Sequence, residues 1–459
     1  MKYSNMVAQL PRAINARTEE PISLIHLSEM ARYIELWDSM YRNEAPWLTK
    51  DVSSCNLPAS VASEVSRLVT LELQSEVTGS QRADYLNTQY QKVRKSLRKY
   101  VEYGCAKGSL VFKPYVTDKG IAVQYVQADG FFPVAFDDSD NMTDCIFTEQ
   151  FRENKRVYTR VERHRLSGDI LTITNMAFVS SNTTTLGSGI PLNMVPKWSE
   201  LSEEMKFSGV EKLPIGFFKM PLANTVEAES PLGVSVYSRA VDTIKKADER
   251  YSQIDWEYVS KEAAVHIATS MLKYNKNTDK FEYPGGKNRL YRNLEYNIGA
   301  TDKPLLDVYS PDIRDQSLYN GFNNQLKLVE FNCHLAYGTL SDPNNVDKTA
   351  EEIKTSKQRS YTMVSDTQMA LQTALEDLVD AMNFWASIYQ LTPEGAINVG
   401  FVWDDSIIVD AEKERQTDRA DVAMGAMSVV EYRAKWYGEP EEVARQKIEG
   451  VQVDEGVDE

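Results

Sequence analysis

The stretch from Thr349 to Leu391, TAEEIKTSKQRSYTMVSDTQMALQTALEDLVDAMNFWASIYQL, contains neither proline nor glycine and keeps a helical pattern from end to end. At ~1.5 Å of rise per residue it predicts a rod of roughly 60 Å, an architectural part rather than the packing helix of a small enzyme. Thr349 and Glu352 match a capping box at its start. The first half, Glu351 to Thr362, is polar, whereas Leu371, Leu375, Leu378, Met382 and Trp385 form an apolar stripe in the second. One end is therefore expected to face water or solvated partners and the other to pack. Leading straight into the rod is Tyr337 to Lys348, YGTLSDPNNVDK, read as a loop from its glycine and asparagines.

Upstream of that loop, Leu318, Phe322, Leu326, Val329 and Cys333 share one face of a helix expected over Ile313 to Ala336. A second long helix is expected over Ser230 to Ala264, with Ser230 as its cap and Pro231 in its first turn. Tyr237, Ala240, Val241, Ile244, Ala247, Tyr251, Ile254 and Tyr258 recur there at helical spacing. Between the two helices, Val265 to Pro311 reads as short strands and turns, among them Tyr283-Pro284-Gly285-Gly286 and Asp302-Lys303-Pro304. The predicted unit is a helical hairpin carrying a compact head.

The chain before this hairpin mixes both periods. Helices are expected at Pro21 to Asn43, capped by Ser28, at Ala59 to Leu73, and at Gln91 to Tyr103, the last closed by Gly104 as a left-handed cap. From Leu110 the period becomes two, with Leu110, Phe112 and Tyr115, then Ile121, Val123 and Tyr125, then Ile146 to Phe151 and Val157 to Arg163, the pattern of an antiparallel meander. Ser180 to Gly189, rich in Ser, Thr and Gly, is expected to be a hairpin tip or a mobile loop. After the rod come a short strand, Ile397 to Trp403, helices at Ala411 to Ala426, Val429 to Tyr437 and Glu441 to Glu449, and an acidic tail, Asp454 to Glu459. Mixed in this way, the fold class is α+β.

Composition narrows the function. With 42% apolar and 26% charged residues, a chain of 459 residues is neither fibrous nor largely disordered, and it is long enough for several cores. Met1 to Arg17 lacks the apolar stretch of a secretory signal, and no window approaches a membrane span, so a soluble protein made in the cytoplasm is expected, without a membrane partner. Cys55, Cys105, Cys145 and Cys333 are scattered and form no CxxC pair, which favours reduced thiols over a zinc site. The formal charge of -16 disfavours a protein that clamps nucleic acid, because neutralising phosphates supplies most of that affinity.

No catalytic constellation emerges, and neither a cofactor nor a metal is expected. Gly285-Gly286-Lys287 resembles the end of a phosphate-binding loop, but Asn288 stands where Ser or Thr should bind magnesium and the upstream glycine is missing. Gly104 to Gly108 fails similarly. His26, His164, His266 and His334 lie far apart, with no HExxH pattern. Two basic clusters interrupt the acidic chain: Lys273, Lys276, Lys280, Lys287, Arg289 and Arg292 in the insert, and Lys348, Lys354, Lys357 and Arg359 where the loop meets the rod. Taken singly, each reads as part of a solvated helical face; taken together, local positive charge within an acidic chain can also guide a polyanion without trapping it.

Taken in order, several segments resemble the portal, or head-to-tail connector, proteins of tailed bacteriophages, particularly those of long-tailed phages of Gram-positive hosts. They are Ile34 to Tyr41 (IELWDSMY), Ala62 to Leu73 (ASEVSRLVTLEL), Gly104 to Tyr115 (GCAKGSLVFKPY), Val126 to Pro133 (VQADGFFP), Tyr158 to His164 (YTRVERH), Phe218 to Tyr237 (FKMPLANTVEAESPLGVSVY) and Lys348 to Thr362 (KTAEEIKTSKQRSYT). Their order and spacing over most of the chain carry the resemblance. Lys107-Gly108 departs slightly, standing where relatives tend to have two glycines.

The resemblance implies a portal fold: an α/β wing at 1–229, stem helices at 230–264 and 313–336, a small α/β clip at 265–312, a tunnel loop at 337–348, a long wing helix at 349–391, and a helical crown with the acidic tail at 392–459. It further implies a non-enzymatic structural protein of the virion, a dodecameric ring at one capsid vertex through which double-stranded DNA is packaged and ejected. The implied partners are the terminase large subunit, a head-completion adaptor, the major capsid and scaffolding proteins, and non-specific DNA, with assembly in the host cytoplasm. Leu340, Ser341, Asn344, Asn345, Lys348, Lys354 and Lys357 are the residues expected at the DNA channel, and Tyr283, Lys287, Arg289 and Arg292 those at the docking surface of the clip. Twelve helices of ~10 Å set side by side give a circumference of roughly 120 Å and a bore near 28 Å, enough for a duplex taken as roughly 20 Å wide. Two rivals predict other observables: a minor capsid or adaptor protein without a channel, and a nuclease with a carboxylate cluster binding divalent metal.

Overall fold

A computed structural model describes residues 1–18, 21–24, 27–138, 141–228, 230–268, 272–277, 279–282, 291–294, 306–342, 350–403, 411–437, 443–445 and 447–448. The chain divides into two units, Met1–Thr70 with Glu76–Val399, and Leu71–Ser75 with Gly400–Glu459.

In the first unit, helix α1 (Tyr3–Asn15) buries Tyr3, Met6, Val7, Leu10 and Ile14 at the three- and four-residue spacing of one helical face. The residues of α1 gave no expectation of a helix. Helix α2 (Ser28–Tyr41) buries Met30, Ala31, Ile34, Trp37 and Met40, but its cap is Leu27, and Ser28 is already its first helical residue. Helix α3 (Leu57–Thr70) and strand β1 (Gln74–Thr78) follow. Helix α4 (Gln81–Lys107) opens on Ser80, whose hydroxyl accepts the Ala83 N–H. It does not stop at Gly104. The left-handed residue is Gly108 (φ 89°), and a Cβ there would lie 2.3 Å from the Gly233 carbonyl oxygen. Gly104 lies within the helix, and the Phe218 ring occupies the space its side chain would need.

Strands β2 (Ser109–Thr117) and β3 (Gly120–Gln127) form the first hairpin. The meander expected from Leu110 onward divides between two sheets: β2 and β3 belong to one, and the other follows as β4 (Phe131–Phe136), β5 (Met142–Glu153), β6 (Arg156–Ser167), β7 (Ile170–Ser180) and β8 (Ser188–Ile190), antiparallel in sequence order, with Ser180 to Gly189 turning β7 into β8. Strand β9 (Glu204–Ser208) also pairs with β7, and β10 (Gly216–Lys219) returns to pair with β2.

A buried ionic network joins β2 to β6. Lys113 Nζ lies 2.8 Å from Glu162 Oε2, Glu162 also meets His164 Nε2 at 2.6 Å and Arg160 at 3.0 Å, and Arg163 pairs with Asp144 at 2.6 Å. Burial pushes the Glu162 carboxyl up, but Lys113, His164 and Arg160 outweigh it and hold it well below its usual range. Burial lowers the His164 pKa, and it outweighs the opposing pull of the Glu162 carboxylate.

The helix expected from Ser230 begins ten residues late by the chain's own path: α5 spans Val241–Ser260, preceded by a 3-10 turn at Ser238–Ala240. Leu232, Val234, Val236 and Tyr237 are instead buried in a non-helical run. Tertiary contacts override the local signal: Gly233 N–H donates to Ser109 Oγ (3.1 Å) and Val236 N–H to the Cys105 carbonyl (2.9 Å), which leaves Pro231 outside any helix. Strands β11 (Ala264–Ala268), β12 (Lys273–Asn275), β13 (Lys280–Glu282), β14 (Tyr291–Leu294) and β15 (Leu306–Tyr309) make the insert, with β11 between parallel β14 and antiparallel β15, and β12 paired with β13.

Helix α6 spans Asp315–Asn332 and α7 Ala350–Ile388. Leu371, Leu375, Leu378 and Met382 are fully buried and Trp385 nearly so, as the apolar stripe predicts. Strand β10 approaches α7 closely enough that a Cβ on Gly216 would sit 2.2 Å from the Ala374 carbonyl oxygen. Arg82, buried at the start of α4, holds the far end of α7 through Asn383 Oδ1 (2.8 Å), Ser387 Oγ and the Thr392 carbonyl (2.6 Å). Thr349 and its capping box lie outside the described residues.

Strand β16 (Asn398–Val402) pairs with β1. The second unit contains helices α8 (Ala411–Met424) and α9 (Val429–Tyr437). Ser428 and Glu431 form a reciprocal cap on α9, and Trp436 Nε1–H donates to Asp418, which also pairs with Lys435. The expected last helix is described only at 443–445 and 447–448, and the acidic tail lies outside the described residues.

Candidate functional site

Helices α5 and α6 lie antiparallel, and polar ties set their register. Gln325 Nε2 donates to the Thr243 carbonyl (3.1 Å), the Tyr251 and Phe322 rings are 6.0 Å apart, and Arg314 grips Glu257 with its guanidinium (2.9 and 3.1 Å) and its N–H. Those bonds from Arg314 bring the Glu257 carboxyl down to about 2. This ion pair closes the hairpin next to the insert.

At the other end of α6 the chain leaves through a loop root built on one buried carboxylate. Glu330 is fully buried and its Oε1 accepts the N–H groups of Gly338 (3.1 Å), Leu340 (2.6 Å) and Ser341 (2.8 Å), while Oε2 accepts the Ser341 hydroxyl (2.8 Å). Asn323 Oδ1 takes the next N–H, that of Asp342 (2.8 Å). Backbone donors that a sharp turn would leave unpaired are thus collected on α6. Charge-assisted bonds of this kind are roughly twice as strong as neutral ones.

Basic side chains surround that root. The Arg359 guanidinium of α7 stacks over Phe331 (4.6 Å) and lies 5.5 Å from the Tyr337 ring. Arg239 reaches His334 at 3.4 Å, and burial, then Arg239 and Arg359, lower the His334 pKa.

Of the residues expected at a channel, Leu340 is half-buried and, with Thr339, lines a cleft of about 870 Å³ beside Tyr251, Phe322 and Leu326. Ser341 is buried and bound to Glu330. Asn344, Asn345 and Lys348 lie outside the described residues. Lys354 and Lys357 stand on the first turns of α7, their side chains outside what is described. In the insert Tyr283, Lys287 and Arg289 lie outside the described residues, and Arg292 is placed only as a backbone position in β14, opposite His266 of β11.

Sequence reasoning missed Glu330 and Asn323. The available signal was an acid embedded in the Leu326, Val329, Cys333 stripe, about two turns before a glycine-containing loop. Among the described residues, no group of three or more His, Cys, Asp or Glu is placed to hold a metal ion, and no helix is long and apolar enough to cross a membrane.

Residues 63–446 match the family described as "Phage portal protein, SPP1 Gp6-like". No curated protein matches the chain. A solved structure titled "Neck of native GTA particle computed with C12 symmetry" is similar at a TM-score of 0.41 and 11% identity, covering 83% of this chain and 89% of that one.

Proposed function

The chain belongs to the phage portal protein family, and from that membership we propose that it assembles into a ring at one vertex of the capsid and conducts double-stranded DNA in both directions. The observation that carries this reading is the family match over residues 63–446, a range that takes in the α5–α6 hairpin, the loop root and the long α7 helix. The α5–α6 hairpin is the stem, the strands between its helices are the clip, and the segment 337–348 is the tunnel loop. Twelve copies would leave the bore estimated above.

Glu330 supports the loop role, because a loop that meets a moving duplex must be rooted firmly while its tip adapts. Ser341 then serves as part of the anchor, and Leu340, Asn344, Asn345, Lys348, Lys354 and Lys357 face the passage. Contacts to DNA are to phosphates, independent of sequence and weak. Weakness follows from charge: every copy brings a net -16 to the ring, so a few lysines guide the duplex within a repulsive wall. Energy comes from a terminase motor docked on the clip through Tyr283, Lys287, Arg289 and Arg292, replaced after filling by a head-completion adaptor. The protein itself performs no catalysis.

Replacing Lys348, Lys354 and Lys357 together by alanine tests the channel role. Rings should persist in electron micrographs while packaging or retention of DNA changes and its salt dependence flattens. Packaging indistinguishable from the parent would remove these lysines from the mechanism.

A further inference from the structure

The two flanks of the α5–α6 hairpin carry different exposed apolar patches. On α5, Trp256 is 69% and Val259 57% exposed. Both line a groove of about 650 Å³ that also takes in Lys50, Asp51, Glu249 and Asp255, three acids against one base. On α6, Leu328 is 51% and Phe331 50% exposed, forming a ridge. Lys327 adjoins it in sequence, and Arg359 stacks on Phe331.

These patches point away from each other. Helix α5 meets α6 through Thr243, Tyr251 and Glu257, and Trp256 lies about 100–140° round the helix from each of them at ~100° per residue. Helix α6 meets α5 through Phe322, Gln325 and Asn332; Phe331 lies about 100–180° round from these, and Leu328 flanks the contact at about 40–120°. One protomer therefore offers an acidic apolar groove on one flank and a basic apolar ridge on the other. A surface that is complementary to a different surface of the same molecule builds head-to-tail contacts, which close into rings or run on as filaments.

We propose that the Trp256 groove of one copy receives the Leu328–Phe331 ridge of the next, with Arg359 and Lys327 set against Asp255, Glu249 and Asp51. The opposite charges fix register and reject like-to-like contacts, and the aromatic side chains supply the buried anchors. This joint rests on the ring reading above. It adds a geometric consequence. The register places Trp256 level with Gln316 of α6, so the ridge lies roughly 20 Å further along the hairpin at ~1.5 Å per residue. Neighbouring hairpins must lean across one another for groove and ridge to meet.

The test uses the full-length chain with two single substitutions at exposed positions, Trp256→Asp and Phe331→Asp, and mass photometry. Each variant alone should lose at least ten-fold in ring population while keeping the melting temperature of the unassembled parent. Mixed in equal amounts, they should form two-subunit species and stop there, because the intact ridge of the first fits the intact groove of the second and both free faces are spoiled. Rings from either variant at parental yield would overturn the joint. So would variants that fail to assemble and also fail to pair when mixed. Phe331→Asp rings that assemble normally but lose hold of duplex DNA would overturn it in favour of a ridge facing the channel. Should the unsubstituted chain form no rings, the ring reading itself fails; should it form rings that both variants match, only the joint fails.

Discussion

Replacing Glu330 by alanine removes one carboxylate and, with it, four hydrogen bonds that define the path of residues 338–341. Each bond to a charged group is worth about 1.5–3 kcal/mol, so a loop held rigidly in place would forfeit about 6–12 kcal/mol. Freeing the backbone of a residue returns about 1–2 kcal/mol of conformational entropy, and six residues from Tyr337 to Asp342 recover a similar sum. Detachment therefore wins over leaving the donors unpaired, and the damage stays local. Hydrogen exchange followed by mass spectrometry should show the amides of Gly338, Leu340 and Ser341 losing at least 100-fold in protection, equivalent to about 2.7 kcal/mol. The meander and α7 should keep theirs. Glu330→Gln retains an acceptor for the three N–H groups and offers an NH2 to the Ser341 hydroxyl, so its loss should stay below ten-fold. Unchanged exchange at 338–341 in the alanine variant would show that other contacts root the loop, and the anchoring role of Glu330 would be wrong.

Other perturbations probe the wing and the hairpin. Lys113→Met strips Glu162 of its first compensating charge in a buried site and should cost about 3–5 kcal/mol in denaturant unfolding, with the Glu162 carboxyl rising; adding Glu162→Gln should recover most of that loss. Acid should weaken the fold in two windows. His164 has a lowered pKa, so its contribution is present above about 6.5 and fades as pH falls below it. Glu162 and Glu257 are lowered carboxyls, whose contributions are complete above about 4.5 and disappear as pH falls, for Glu257 through about 2. Glu257→Gln should flatten the acid limb of a melting-temperature profile below pH 4.5 without altering the higher window. Gly216→Ala places a methyl 2.2 Å from the Ala374 carbonyl oxygen and should cost about 3 kcal/mol by pushing β10 off α7.

The long rod, the meander and the hairpin could be read from residues because each rests on a periodic signal many residues long. α7 ends within three residues of the expected Leu391, and its apolar stripe is buried as written. Short-range signals fared worse wherever tertiary contacts compete. Ser230-Pro231 has the form of a helix start, yet the chain runs non-helically to Tyr237 because Ser109 and the Cys105 carbonyl hold it there. Gly104 was read as the stop of α4, but it packs under the Phe218 ring within the helix, and the left-handed residue is Gly108. Glu330 was missed for a different reason: an acid on a helix face reads as solvated until a loop folds back over it, even when it stands beside an apolar stripe. The Lys113–Glu162–His164 network joins residues from strands 49 positions apart, a proximity that no local pattern encodes. The portal motifs, by contrast, were legible in their order along the chain, and the family match agrees with them.

Cryo-electron microscopy of the assembled protein tests the central claim most directly. The account predicts a closed ring whose axial opening admits a duplex of roughly 20 Å, with α5 and α6 around the passage and residues 337–348 projecting into it. A ring without an opening, or a passage walled by the β5–β7 meander with the hairpin turned outward, would contradict it.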